Sequence, residues 1–90
     1  PLAPDVAQRL VRHIRATGGV VVSRHAAERI ARHRLKSKDW EHALRAGWVL
    51  AGEWENGSWR YQVRTQNVTV VVTFRSLAEL VVVTVWGKVS

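Results

Sequence analysis

Four side chains within nine residues could do chemistry together: His25, Arg29, Arg32 and His33. On a helix at about 100° per residue, His25, Arg29 and Arg32 stack at i, i+4 and i+7, with His33 at the edge of that face. Ala26, Ala27, Ile30 and Ala31 fall on the other side, the one a helix buries. Histidine takes or gives a proton near neutral pH, and arginine grips phosphate with a two-pronged fork. This spacing therefore suits phosphoryl chemistry, with proton transfer by His25 or His33 and arginines facing a pentavalent phosphate. Neighbouring cations repel by a few tenths of a kcal/mol per pair, which a merely soluble helix avoids by mixing in acid. An ordinary surface histidine stands beside that reading, and His13 and His42 read as surface residues of their helices.

The elements that position this cluster follow from period and punctuation. Asp5 to Ala16 carries Val6, Leu10, Val11 and Ile14 on one stripe, with Pro4 near its start and Thr17-Gly18-Gly19 as a stop. Val20-Val21-Val22 is a short apolar run fit for a small edge strand. Ser23 caps the central helix, which runs to Leu35, and Ser37 caps a third over Lys38 to Ala46, closed by Gly47. The period then changes to two. Trp48 to Glu55, Ser58 to Thr65, Val68 to Arg75 and Glu79 to Lys88 read as strands, the first pair joined by an Asn56-Gly57 turn. The expected architecture is α+β: about three N-terminal helices packed on a four-stranded antiparallel sheet.

Alternation assigns the faces of that sheet. The sets Trp59/Tyr61/Val63, Val68/Val70/Val72/Phe74 and Val81/Val83/Val85 are expected under the helices. The open face then shows Arg60, Arg64, Thr73, Arg75, Thr84 and Trp86. Trp40 belongs to a core stripe, whereas a base could stack on Trp86 for about 1–3 kcal/mol; rim packing is the plain alternative for Trp86.

Charge supports a polyanionic partner. The 90 residues carry a net +7, and through residue 50 ten Lys or Arg stand against four Asp or Glu, while the remainder has four against three. A basic surface kept for solubility is the alternative, but Arg outnumbers Lys, which favours phosphate. With no cysteine, disulfides, thiolate catalysis and cysteine-ligated zinc are excluded, zinc nucleobase deaminases included. His25 and His33 lie eight apart, too far for the i, i+4 zinc pair, so no metal site is expected. No serine elbow or phosphate-cradling glycine loop occurs. No apolar run approaches the roughly 18 residues of a membrane span, and no signal peptide is seen. The opening Pro1-Leu2-Ala3-Pro4, without Met, reads as a linker remnant from a longer protein. Residues 5–90 are then one domain.

Taken together, Ser23-x-His25-Ala26-x-x-Arg29, Leu35, the helix to Gly47, Trp59-Arg60-Tyr61 and Val83-Thr84-Val85-Trp86 resemble one family of small bacterial domains. It is similar to the barnase/EndoU/colicin/RelE group of ribonuclease toxins. Such domains often form the C-terminal tip of polymorphic, secreted toxins and are paired with an immunity protein. The resemblance covers the chain from about Val20 onward. It implies a secreted or delivered effector of interbacterial competition that acts in the target-cell cytoplasm and needs no cofactor. The implied reaction is RNA cleavage, with tRNA the expected substrate, by 2′-hydroxyl attack on the adjacent phosphate, leaving a 2′,3′-cyclic phosphate and a 5′-hydroxyl. It further implies His25 as general base or acid, Arg29 and Arg60 holding phosphate, and Thr84 hydrogen-bonding to it. Arg32, His33, Arg64, Tyr61 and Trp86 would contact the RNA, and an acidic immunity protein would cover the basic surface. One departure stands out: the family usually shows Arg then Gly before the closing apolar residue, where this chain has His33-Arg34 before Leu35. A non-catalytic RNA- or DNA-binding module, or a protein-interaction domain, is the rival reading.

Overall fold

Proline in the first turn and glycine just past the last bound α1 (Pro4–Thr17), which buries Ala7, Val11 and Ile14. Gly18 takes the left-handed conformation (φ 83°), and the N–H groups of Gly18 and Gly19 return to the carbonyls of Arg15 and Ile14. The computed structural model describes residues 1–87. It is α+β, with three helices and a mostly antiparallel sheet. Residues 1–4, expected as a linker, join the fold: Pro4 starts α1, Leu2 packs on the core, and its N–H donates to Tyr61 Oη at 2.8 Å.

After β1 (Val20–Val22), Ser23 caps α2 (Arg24–Arg32) as expected, its hydroxyl accepting from the Ala26 N–H at 3.1 Å. The helix stops three residues short of Leu35. Arg34 turns left-handed (φ 52°), and the Leu35 N–H returns to the Ile30 carbonyl. In α3 (Ser37–Ala46) the cap position is Lys36, not Ser37, and no side chain caps it. Gly47 ends that helix in an extended conformation, not a left-handed one. Its need is space, since a Cβ there would lie 2.6 Å from the Ala43 carbonyl oxygen and 2.9 Å from that of Arg64.

The sheet has six strands, not four: β1, β2 (Trp48–Val49), β3 (Glu53–Glu55), β4 (Ser58–Arg64), β5 (Val68–Phe74) and β6 (Leu80–Gly87). Their order is β1-β6-β5-β4-β2, with β3 pairing separately with β4. Two physical causes make the difference. The short valine run β1 crosses over to pair parallel with β6, Val20 opposite Leu80. The expected strand Trp48 to Glu55 is broken by an extra residue: Val49 is opposite Val63 and Glu53 opposite Arg60, so four steps match three. The Asn56-Gly57 turn forms as expected, both residues at positive φ (49° and 83°). The Lys88 end of the last expected strand lies outside the described residues.

A second irregularity corrects the face assignment of β6. Val71 is opposite Thr84 but Val72 is opposite Val82, so Val83 is the extra residue. Leu80 and Val82 therefore face the core before the bulge and Val85 after it, replacing the expected set Val81/Val83/Val85. Thr84 and Trp86 remain on the open side, as alternation after the bulge requires.

Gly19 sets a tight crossing beside β1. A Cβ there would stand 1.9 Å from the Ala78 carbonyl oxygen, a backbone atom that cannot swing away. Gly19→Ala should lower stability by about 3 kcal/mol, read as a fall in the urea midpoint at unchanged slope.

Candidate nucleic-acid interface

Register brings the open-face residues of four strands together. Arg64 is opposite Thr69 on β5 and Trp48 on β2; Gln62 is opposite Val71, and Thr69 and Val71 are opposite Trp86 and Thr84 on β6. Two adjacent clefts result, with Trp86 lining both. One, of about 190 Å³, holds Glu53, Glu55, Arg60, Gln62, Thr84 and Trp86. The other, of about 340 Å³, holds Trp48, Arg64, Thr69 and Trp86. Arg64 is oriented by Gln62, whose Oε1 accepts from Nε and Nη2 at 3.1 and 2.7 Å.

Arg60, Thr84 and Trp86, expected together on the open face, line one cleft. Glu53 and Glu55 were not expected. They reach this face because the extra residue after Val49 resets the alternation of β3, setting Glu53 opposite Arg60 and Glu55 opposite Ser58. Counting back from the Asn56-Gly57 turn would have found them. Two carboxylates against one guanidinium make this cleft a poor seat for phosphate and a good one for a nucleobase, whose N–H groups a carboxylate accepts. Arg60 Nε is buried with no acceptor among the described residues, an orphan of the kind that costs about 1–3 kcal/mol. A ligand oxygen reaching it would recover that cost.

Other expected contacts lie elsewhere. Tyr61 is a correction: it is 2% exposed and faces the core, stacked at a tilt 5.3 Å from Phe74 with its hydroxyl engaged by Leu2, so it meets no ligand on the open face. Arg75 sits in the exposed β5–β6 turn, paired with Glu79 at 3.1 Å. His25, Arg32 and His33 are exposed on α2 and its C-terminal cap, and none of them lines either cleft.

Arg29 has a structural task. Its Nε donates to the Val85 carbonyl at 3.1 Å, while Ser23 Oγ donates to that of Val83 at 3.1 Å. Both close the edge of β6 beyond the reach of β1, where unpaired carbonyls would otherwise remain. The bond ties the basic helix to the peptide between Thr84 and Trp86. Arg29→Ala should therefore lose about 1–2 kcal/mol of stability in addition to any phosphate contact, seen in a urea titration without RNA.

The His33-Arg34 departure also gains a physical meaning. Arg34 occupies the left-handed position after α2 where glycine is free of strain. Arg34→Gly should stabilise the domain by about 1 kcal/mol, or roughly 4–8 °C in thermal midpoint. If the exposed side chain meets phosphate, the same change weakens tRNA binding and flattens its salt dependence by about one unit of slope.

Among the described residues no group of three or more His, Asp or Glu is placed to hold a metal ion, and no helix is long and apolar enough to cross a membrane. Compared with known proteins, the chain matches no family model, no curated protein and no solved structure.

Proposed function

We propose that this domain is a metal-independent endoribonuclease, with tRNA the expected substrate, cleaving by 2′-hydroxyl attack to leave a 2′,3′-cyclic phosphate and a 5′-hydroxyl. The observation that carries it is the joining of the two halves. Arg60, Thr84 and Trp86 share a cleft, and Arg29 fixes the His25 helix to the carbonyl between the last two. In this scheme a base stacks on Trp86 with its N–H groups toward Glu53 or Glu55. The backbone meets Arg29, Arg32 and Arg64, and His25 moves the proton. The role of a toxin delivered into a target cell and held by an acidic immunity protein accords with the basic helices.

One observation favours binding without chemistry. Among the described residues the side-chain hydrogen bonds of α2 belong to Ser23, Arg24, Glu28 and Arg29, so no bond orients the His25 ring. The experiment that separates the readings is incubation with tRNA in excess EDTA, followed by end-labelling of the fragments with polynucleotide kinase. Fragments that accept label without prior phosphatase treatment carry 5′-hydroxyls and support the proposal. Intact tRNA, bound but uncut, would replace it with the binding module.

A further inference from the structure

Charged side chains of the smaller cleft stand without ionic partners. Glu53 and Arg60 are directly opposite on β3 and β4, yet the ion pairs among the described residues are Arg24–Glu28 and Arg75–Glu79. An acid and a base facing each other across neighbouring strands ordinarily close on one another. Here both instead line an opening of about 190 Å³, together with Glu55 and the half-buried indole of Trp86. Arg60 Nε is buried with no acceptor. The Gln62 amide, whose Oε1 is taken by Arg64, has only its NH2 group left to offer. The cleft thus supplies two carboxylates that only accept, and a guanidinium and an amide NH2 that only donate. A flat ligand that suits it carries adjacent N–H groups on one edge, with an acceptor beside them.

We propose that this cleft selects guanine: Glu53 accepts from its N1–H and N2–H groups, Arg60 and Gln62 donate to its O6, and the ring stacks on Trp86. This rests on the reading of the cleft as a nucleobase seat and narrows it to one base. On the Watson–Crick edge guanine alone sets two N–H groups side by side with a carbonyl next to them. The two oxygens of a carboxylate match that pair as they match the fork of an arginine. Adenine offers an amino group beside a bare ring nitrogen, and uracil one N–H between two carbonyls, so the second carboxylate oxygen meets a lone pair. Cytosine inverts the count, with two acceptors and one amino group where the cleft holds two carboxylates and one guanidinium. Glu53 is assigned before Glu55 because register sets it across from Arg60, and N1–H and O6 are neighbours on the guanine ring.

The test adds GMP, IMP, AMP, CMP or UMP to the whole chain and follows the indole N–H resonance of Trp86, assigned from Trp86→Phe, with that of Trp40 as reference. GMP at about 1 mM should shift the Trp86 signal and leave that of Trp40 in place. IMP, which lacks only the N2 amino group, should bind about tenfold more weakly, and AMP, CMP and UMP more weakly still. Glu53→Gln should weaken GMP about tenfold and leave AMP unchanged. Because Glu53 is exposed, the thermal midpoint of that variant should stay close to that of the parent. The proposal is overturned if no nucleotide moves Trp86, if IMP or AMP binds as tightly as GMP, or if Glu53→Gln keeps the full preference for GMP. The readout is binding, so failure to cut tRNA removes the ribonuclease reading and not this one, while a missing GMP preference leaves cleavage to its own test.

Discussion

His25→Ala is expected to reduce cleavage of tRNA in EDTA by about 10²–10⁴-fold, the usual contribution of a positioned proton-transfer group. Affinity for uncut tRNA and thermal stability should stay near the parent values, because His25 is exposed and its ring holds nothing in the fold. This separates it from Arg29→Ala, in which stability falls with the loss of the bond to the Val85 carbonyl. Single-turnover cleavage, with binding measured in parallel, is the readout. Equal cleavage by His25→Ala and parent would take the proton transfer away from His25; His33→Ala, tested alongside, would show whether the second histidine carries it.

Tyr61→Ala is expected to cost about 3–5 kcal/mol, much of the margin of a domain this size, because the ring is 2% exposed and packed on Phe74. Tyr61→Phe removes only the acceptor for the Leu2 N–H and should cost about 1 kcal/mol, with RNA affinity unchanged. Urea unfolding and tRNA binding on both variants check this. Loss of RNA affinity in Tyr61→Phe at full stability would return the phenol to the RNA surface.

The parts of the fold governed by local signals were legible in the sequence. The α1 helix, the Ser23 cap and the Asn56-Gly57 turn each need only a few neighbouring residues, and all three formed, although in the α1 stripe Val6 is exposed and Ala7 is buried in its place. What stayed hidden depends on long-range pairing. A run such as Leu80 to Val83 is apolar on both faces, so nothing in it betrays the phase change at Val83. The parallel pairing of β1 has no local mark either, since three valines fit an edge strand in any sheet. The site shows the same division. Arg60, Thr84 and Trp86 were placed on one face because alternation holds locally on each strand. Glu53 and Glu55 were missed because an extra residue intervenes between Val49 and Glu53, and Tyr61 was misplaced because its motif was followed instead of its face.

The position of β6 bears on how the chain acquires its structure. The last strand of the described chain lies inside the sheet, between β1 and β5, and its bonds reach back to residues such as Ser23, 60 positions earlier. Until it emerges from a ribosome or a translocation pore, β1 has no partner, α2 has no edge to close, and the cleft lacks Thr84 and Trp86. Contacts of such long sequence separation form late and slowly. A partly threaded chain therefore lacks Leu80, Val82 and Val85 of the core and one wall of the cleft, and it completes both only when β6 arrives.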